Sequence, residues 1–143
     1  MNTHGHLVDA NMVLCDAQAL PDTTSGDSTN MVDVGVGAGN TAWLYVYANN
    51  DVEIASDQAF AMELQCFTAD TAASAVSPID DGHVELLTKT AADGEMAFAA
   101  GDLIGCWGLS PEMLGTSRWV QLLFTTDADE SDDDVDAFVV FKP

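Results

Sequence analysis

The chain has 143 residues, 48% of them hydrophobic, and its 3 Lys+Arg against 24 Asp+Glu give a formal net charge of −21 at pH 7. Disordered acidic chains combine high charge with low hydrophobicity, so this apolar content predicts one folded domain with a single core. So few basic residues exclude a direct nucleic-acid partner, which needs several phosphate contacts. An anionic membrane would repel the chain for the same reason.

Targeting segments and cysteine chemistry are not indicated. There is no apolar run of about 18 residues, as a transmembrane helix needs, and the first twenty residues lack the basic and apolar regions of a secretory signal. The cysteines Cys15, Cys66 and Cys106 are odd in number and far apart, which argues against a disulfide framework or a zinc site. We expect them to be small buried side chains.

Period-two hydrophobicity dominates the chain and predicts strands. Residues 1–12 are interpreted as a flexible N-terminal arm and residues 13–143 as a single β-sandwich domain. In chain order, the predicted strands are Met12–Cys15, Met31–Val34, Trp43–Tyr47, Phe60–Cys66, Val84–Thr88, Glu95–Ala99, Trp119–Thr125 and Val135–Phe141. Trp43–Tyr47 is apolar or aromatic on both faces, as in a central strand covered on both sides.

The segments between these runs are rich in turn formers. Loops or turns are predicted at Asp22–Asp27, Gly35–Gly39, Asn49–Asp51, Asp80–Gly82 and Ala92–Gly94. Helix is expected only at Pro111–Leu114, where Ser110 is a suitable N-cap, and as an alternative to strand over Met12–Ala19. Strands recurring every ten to twenty residues, very roughly, indicate an all-β sandwich or barrel of about eight short antiparallel strands.

Catalytic motifs are missing: there is no GxSxG and no HExxH, and Gly35–Gly39 lacks the Lys-Ser/Thr and the helix of a phosphate loop. We therefore expect neither catalytic residues nor a cofactor, and the protein is predicted not to be an enzyme. His4 and His6 would chelate a metal only weakly from a terminal tail, and His83 has no obvious partner.

The most conspicuous chemical feature is the acidic segment from Asp127 to Asp136. Clustered carboxylates suit Ca²⁺, and a weak cation site would use Asp127, Asp129, Asp132 and Asp134. The EF-hand template nevertheless fails, because its Gly and Glu positions hold Asp132 and Phe138. The alternative is a solvated loop between two strands, since like charges repel.

Two predicted strands carry more apolar side chains than one buried face requires. If Val139 and Phe141 face the core, Phe138 and Val140 point away from it, and Trp119 and Leu123 lie opposite the inner face of their own strand. Either a second sheet or loop covers these residues, or they form a subunit or partner interface. The interface candidates are Trp119, Leu123, Phe138 and Val140.

The order of segments resembles the small capsid cement (decoration) proteins of tailed bacteriophages. The similarity spans most of the chain and is most specific at Asp33-Val34-Gly35 with the preceding Asn30, whereas the acidic insert at 127–136 departs from the family pattern. The similar segments are Leu14–Ala19, Ser28–Gly35, Leu44–Tyr47, Met62–Gln65, Arg118–Leu122 and Ala137–Val140.

This resemblance implies a jelly-roll-like β-sandwich that assembles as a homotrimer at threefold positions on the outside of an assembled capsid. Its partner would be the major capsid protein lattice, it would be located on the virion exterior after assembly in the host cytoplasm, and residues 1–12 would order on binding. The alternative function is a carbohydrate- or cation-binding β-sandwich module of a virion or cell surface, using the acidic loop and exposed Trp107 or Trp119. The acidity also suits a high-salt habitat, where charge screening is short-ranged.

Overall fold

Strands make up most of the computed structural model, which describes residues 5–6, 8–35, 41–68, 83–114 and 117–142. The strands of these residues are β1 (Val13–Ala19), β2 (Ser25–Asp27), β3 (Val32–Asp33), β4 (Thr41–Ala48), β5 (Val52–Ile54), β6 (Phe60–Phe67), β7 (His83–Lys89), β8 (Met96–Phe98), β9 (Leu103–Leu109), β10 (Trp119–Thr126) and β11 (Asp134–Lys142). Short 3-10 turns span Ala10–Met12 and Ala91–Asp93, and one α-helix, α1, spans Pro111–Leu114 as predicted.

Two antiparallel sheets form the sandwich. The first sheet has the strand order β1-β11-β4-β9, and the second has the order β2-β10-β6-β7, with β3 also paired to β10. The small β5-β8 ribbon accounts for the remaining strands. Eight main strands that alternate between two four-stranded layers in this order form a jelly roll. The prediction of an all-β, jelly-roll-like sandwich with little helix is confirmed. The strands that the sequence did not predict are the short β2 and β5 and the seven-residue β9.

The core lies between the two sheets and is lined by alternate strand positions. In β6 the side chains of Phe60, Met62, Leu64 and Cys66 are buried, which is the alternation that predicted this strand. In β4 the buried inward positions are Ala42, Leu44, Val46 and Ala48. Because side chains alternate between the faces of a strand, the aromatic residues of β4 must lie on its outer face.

Residues Val13–Ala19 form a strand, so the helical alternative for Met12–Ala19 is wrong. Residues Val13–Ala19 pair with β11 through two irregularities of register, and Ala17 adopts a φ of +47° in one of them. Its N–H donates to Oδ1 of Asp136 at 2.8 Å, and Asn49 Nδ2 donates to the other carboxylate oxygen at 3.1 Å. The fully buried Asp136 therefore holds the irregular part of β1 against its neighbour.

Parts of the predicted N-terminal arm lie against the sandwich. The 3-10 turn Ala10–Met12 begins at Asp9, whose side chain accepts from the N–H of Asn11, and His6 contacts β4 and β11. Flexibility of the arm stays a prediction. Residues 1–4 and 7, the turn at Asp80–Gly82 and Gly37 and Gly39 lie outside the described residues.

Candidate interaction surface

The outer side of the first sheet is aromatic where a solvated sheet face would be polar. We call its outward positions on β4, β9 and β11 the aromatic face. Its apolar members are Trp43, Tyr45, Tyr47, Leu103, Cys106, Phe138 and Val140, with Lys142 at the edge and Gly108 beside Trp43, and two acids, Asp134 and Asp136, also occupy outward positions of β11. Tyr45 is paired with Phe138 and with Cys106, and Trp43 with Val140 and Gly108, so the face is continuous across three strands.

Three rings at the centre of the aromatic face stack on one another. The ring centroids of Tyr45 and Phe138 are 6.0 Å apart, and those of Tyr47 and Phe138 are 5.9 Å apart, with nearly parallel planes. His6 lies over them, 4.3 Å from the Tyr45 centroid, and its Nε2 is 3.0 Å from the Tyr47 hydroxyl. The pKa of Tyr47 is raised, chiefly by burial and then by Tyr45. This part of the face is therefore covered by the chain itself.

Lys142 lies at the other end of the aromatic face. Its Nζ is 5.3 Å from the ring centroid of Trp43 and 4.9 Å from that of Tyr45, in cation–π geometry. The ammonium also donates to the Tyr45 hydroxyl, and this hydrogen bond raises the pKa of Lys142. One of the three basic side chains is thus placed on the apolar side of the molecule.

The four sequence-predicted interface residues do not share a surface. Strands β10 and β11 belong to different sheets, so Trp119 and Leu123 lie on the outer side of the second sheet, opposite Val140. Phe138 points away from the core, as expected, but it is 0% exposed because His6 and the two tyrosines cover it, so coverage by another part of the chain describes this residue. The other three are half-buried, and their role as interface residues stays a prediction.

The outer side of the second sheet has a polar character, and we call it the polar face. It comprises Glu63, Gln65, His83, Trp119, Gln121 and Leu123, which occupy outward positions on β6, β7 and β10. His83 Nδ1 lies 3.0 Å from Glu63 Oε2, so this histidine has the partner that the sequence did not indicate. The Gln65 Oε1 atom is buried and has no hydrogen-bond partner among the described residues.

An ion pair at one end of the polar face joins β3 to the start of β10. Nε of Arg118 donates to Asp33 Oδ1 at 2.9 Å, and a second guanidinium nitrogen donates to Asp33 Oδ2. The hydrogen bonds from Arg118 are the main cause of the lowered pKa of Asp33. The N–H of Gly35 also donates to this carboxylate, at 2.9 Å, so Asp33 fixes the turn after β3.

The carboxylates of the acidic loop are used locally as hydrogen-bond acceptors. Asp127 Oδ1 accepts from the N–H of Ala59 at 2.7 Å, and Asp129 Oδ1 accepts from the N–H and hydroxyl of Ser131. Asp132 and Asp134 contact Asn50 through their backbone atoms. Within the described residues there is no group of three or more His, Cys, Asp or Glu side chains placed to hold a metal ion.

The three cysteines differ in accessibility. Cys15 and Cys66 are buried in the core, and burial raises the pKa of their thiols to about 12 and about 11. Cys106, predicted to be a buried hydrophobe, is instead half-buried on the aromatic face beside Tyr45. All three are free thiols.

Sequence reasoning missed most of the aromatic face. The sequence feature that indicated this face was the hydrophobicity of Trp43–Tyr47 on both sides of the strand. It was interpreted as a central strand whose two faces are both covered by other parts of the protein. His6 and Lys142 gave no signal, because their contacts with β4 join residues 41 and 97 positions apart. His4, the other histidine of the predicted weak chelate, lies outside the described residues.

Comparison with known proteins leaves the site to be interpreted from its own chemistry. No helix among the described residues combines the length and hydrophobicity that crossing a membrane requires.

A scan against protein-family models and a search of curated proteins both find no match to this chain.

Proposed function

We propose that this chain is a structural virion protein, a capsid cement that binds the outside of the assembled major capsid protein lattice and stabilises the shell. It acts as a homotrimer at threefold positions, carries out no catalysis and needs no cofactor. It is made in the host cytoplasm and is located on the virion exterior.

The observation that carries this proposal is the aromatic face on a molecule of net charge −21. A strongly acidic protein gains solubility from its charge, so an aromatic side with half-buried Trp43 and Val140 favours a protein that works in an assembly. The jelly roll supports the same function, since this architecture recurs in viral capsid proteins.

Two of the segments that resemble the cement family also meet in space. Asp33 belongs to the Ser28–Gly35 segment and Arg118 begins the Arg118–Leu122 segment, and their side chains form the ion pair described above. A sequence similarity whose pieces contact one another is stronger support for a shared architecture than the same pieces scattered over the surface.

The physical mechanism of a cement is linkage. A protein that binds the assembled lattice and not its free subunits stabilises the lattice by about 2.7 kcal/mol per site at a hundredfold excess over Kd. A trimer on a threefold axis makes three equivalent contacts at once, so weak individual contacts give strong overall binding.

Sedimentation with capsids tests this function. The full chain is mixed in molar salt with empty shells assembled from the major capsid protein whose gene lies nearest to its own, and separately with that protein unassembled. We expect the chain to pellet with shells, to ignore free subunits and to raise the temperature at which shells break. A chain that stays in the supernatant with intact shells overturns the proposal.

A second candidate, the carbohydrate-binding module, is favoured by one observation on the polar face. In the part of the chain that the structure describes, Gln65 Oε1 is buried without a hydrogen-bond partner. Gln65 is directly paired with Gln121, and the half-buried Trp119 lies two positions from Gln121. Amide groups beside an aromatic ring suit a sugar, which presents hydroxyl groups and an apolar ring face. Titration with neutral oligosaccharides, followed by tryptophan fluorescence of wild type and Trp119→Ala, would detect such binding, and a calcium titration followed by melting tests the cation variant.

A further inference from the structure

Strand β9 is the last strand of the first sheet, and its outer edge has no neighbouring strand among the described residues. The strand pairs with β4 on its other side. Within the described chain, no further backbone hydrogen bond involves Leu103–Leu109. Unpaired N–H and C=O groups along a sheet edge are a template for another strand, and proteins usually protect such edges.

The other edges of the two sheets carry this protection. β1 pairs irregularly, and the carbonyl of its Leu14 already accepts from the N–H of Asn30. β2 and β3 are only three and two residues long, and β7 carries His83 and the exposed Glu85. β9, by contrast, has seven residues, no charged side chain and regular pairing over Gly105–Leu109. Its edge is therefore open to strand addition.

The pairing of β4 with β9 shows which backbone groups point to this open edge. Ala48 accepts from the N–H of Gly101 and donates to the carbonyl oxygen of Asp102, so its backbone groups face the β9 side. Backbone groups alternate in direction along an antiparallel strand, so every second residue of β4 counted back from Ala48 also faces β9. The partners of these residues bond to β4. Cys106 and Gly108, which lie between those partners, direct their N–H and C=O groups outward.

The side chains of β9 form an apolar surface beside the open edge. Leu103 is 45% exposed, and Ile104 and Trp107 pack only partly against the core. The indole ring of Trp107 lies along the strand over Gly105. Apolar side chains of an added strand would cover this ring and complete the rim of the core.

The charges around β9 indicate the sign of the segment that it would bind. Exposed Asp102 directly precedes the strand, and exposed Glu112 follows it in α1. The whole chain has a net charge of −21, and such a field attracts cations and repels acidic molecules. A cationic segment is therefore a better partner for this edge than a second copy of the same acidic chain.

We propose that β9 binds an extended segment of a partner protein by β-strand addition, and that this segment alternates apolar residues with Lys or Arg. Main-chain hydrogen bonds to Cys106 and Gly108 give the affinity, and apolar side chains packed on Trp107 give part of the selectivity. The Lys or Arg residues complement the carboxylates at the two ends of β9. This site goes beyond the proposed capsid function and does not depend on it.

Three synthetic peptides as long as β9, each blocked at both ends, test the chemistry of the partner. One alternates Val with Lys, one alternates Val with Glu, and the third is the Val–Lys peptide with every amide N-methylated. Each is titrated into the full chain by calorimetry at about 0.15 M NaCl. We expect the Val–Lys peptide to bind at least about tenfold more tightly than the Val–Glu peptide. The N-methylated peptide keeps its charge but has no backbone donors, so it should not bind.

A proline variant tests the place of binding on the protein. Proline lacks an N–H and is tolerated on an edge strand where that group would face solvent. Cys106→Pro therefore removes one outward donor and keeps the pairing with β4, whereas the matched control Cys106→Ala keeps the donor. We expect Cys106→Pro to bind the Val–Lys peptide at least about tenfold more weakly than wild type, and Cys106→Ala to bind it as wild type does. Circular dichroism first shows that both variants are folded.

A further measurement uses wild type alone, so it does not depend on how a proline variant folds. Amide hydrogen exchange is followed with and without the Val–Lys peptide. The amides of Cys106 and Gly108 should exchange at least about tenfold more slowly in the complex, because the peptide closes the edge of β9. The amide of Glu85 on β7 should be unchanged.

The remaining outcomes contradict the proposal. Absence of binding overturns it, and equal binding of the Val–Lys peptide and its N-methylated form would show that charge alone attracts the peptide. Protection of β7 amides in place of those of β9 would assign the binding to the second sheet. Concentration-dependent protection of Cys106 and Gly108 without peptide would make a second copy of the chain the occupant.

Discussion

Lys89 is a buried cation in a protein with only 3 Lys+Arg residues. It is 4% exposed, and its Nζ donates to the carbonyl oxygens of Ala55 at 2.9 Å, Gln58 at 2.6 Å and Thr90 at 3.3 Å. Burying a charge is costly unless its hydrogen bonds are satisfied, and here three carbonyl groups satisfy it. The ammonium thereby fastens the loop between β5 and β6 to the end of β7.

Replacing Lys89 by Met should destabilise the fold by about 1–3 kcal/mol, because the carbonyl of Gln58 loses its donor inside the protein. The matched control is Lys142→Met, which removes the same charge from an exposed side chain and should cost less. Urea unfolding of both variants measures the difference. Equal losses would show that the effect comes from net charge and not from the buried hydrogen bonds.

At the level of single elements, strand β9 contains Gly105, a residue that its packing requires and that weakens the strand pattern in the sequence. A Cβ at Gly105 would lie 2.1 Å from Cη2 of Trp107, so the indole ring lies directly over this residue. Glycine weakens a strand pattern, and the pattern of Leu103–Leu109 predicted no strand. The close approach of backbone and ring is the structural reason for the glycine.

Gly105→Ala should therefore displace Trp107 from the core edge and cost about 1–3 kcal/mol, as overpacking generally does. Gly108→Ala in the same strand is the control, since its Cβ would meet the Trp43 ring at an ordinary 3.6 Å. Thermal melting and tryptophan fluorescence report the two changes. Similar melting temperatures for both variants would mean that Trp107 moves aside freely.

Strands with clean alternation could be predicted from sequence, and strands set by distant contacts could not. Phe60–Cys66 and Trp119–Thr125 appear within β6 and β10 because their buried residues repeat every second position. β1 was ambiguous with a helix, since its irregular pairing depends on Asp136, 119 residues from Ala17. β2 (Ser25–Asp27) was expected as a loop, and only pairing with β10 makes it a strand.

The candidate site was less predictable than the fold. The apolar excess of β10 and β11 was visible in the sequence, but which sheet each strand joins depends on the topology of the whole chain. Trp119 and Phe138 consequently fall on opposite sides of the sandwich. The coverage of Phe138 by His6 depends on a contact between distant segments, which no local pattern encodes.

The acidic loop between β10 and β11 should make stability depend on pH. Burial, followed by neighbouring carboxylates, raises the pKa of Glu130 above 4.5 and that of Asp133 above 3.8. The folded state then binds more protons than the unfolded state, so the free energy of unfolding rises as the pH falls from 7 towards 4.5. Below 3.8 the sign reverses, because hydrogen bonds lower the pKa of Asp33, Asp93 and Asp129.

We therefore expect a maximum of the melting temperature at mildly acidic pH. Glu130→Gln should raise the melting temperature at pH 7, because the amide that replaces the buried carboxyl group does not ionise. For the same reason the melting temperature should depend less on pH between pH 7 and 4.5. Glu95→Gln, at an exposed position, removes the same charge and serves as the control. A slope that is unchanged in Glu130→Gln would assign the pH dependence to other carboxylates.

For the whole molecule, charge is divided unevenly between surfaces. The described residues contain two ion pairs, Arg118 with Asp33 and His83 with Glu63, and the latter is charged on both sides only when the histidine is protonated. With Lys89 buried and Lys142 over aromatic rings, few basic groups remain to offset 24 acids. Mutual repulsion of these acids opposes the compact state.

Stability should consequently rise with salt. The screening length falls from about 30 Å at 0.01 M to about 3 Å at 1 M, which removes repulsion between neighbouring loops and favours contact between copies. We expect the melting temperature to increase over that range of NaCl, and a variant with exposed Asp16, Glu85 and Glu95 changed to their amides to show a smaller increase. Measured on dilute monomer, the rise in melting temperature reports folding alone. A melting temperature that does not change with NaCl concentration would contradict both the repulsion argument and the high-salt habitat.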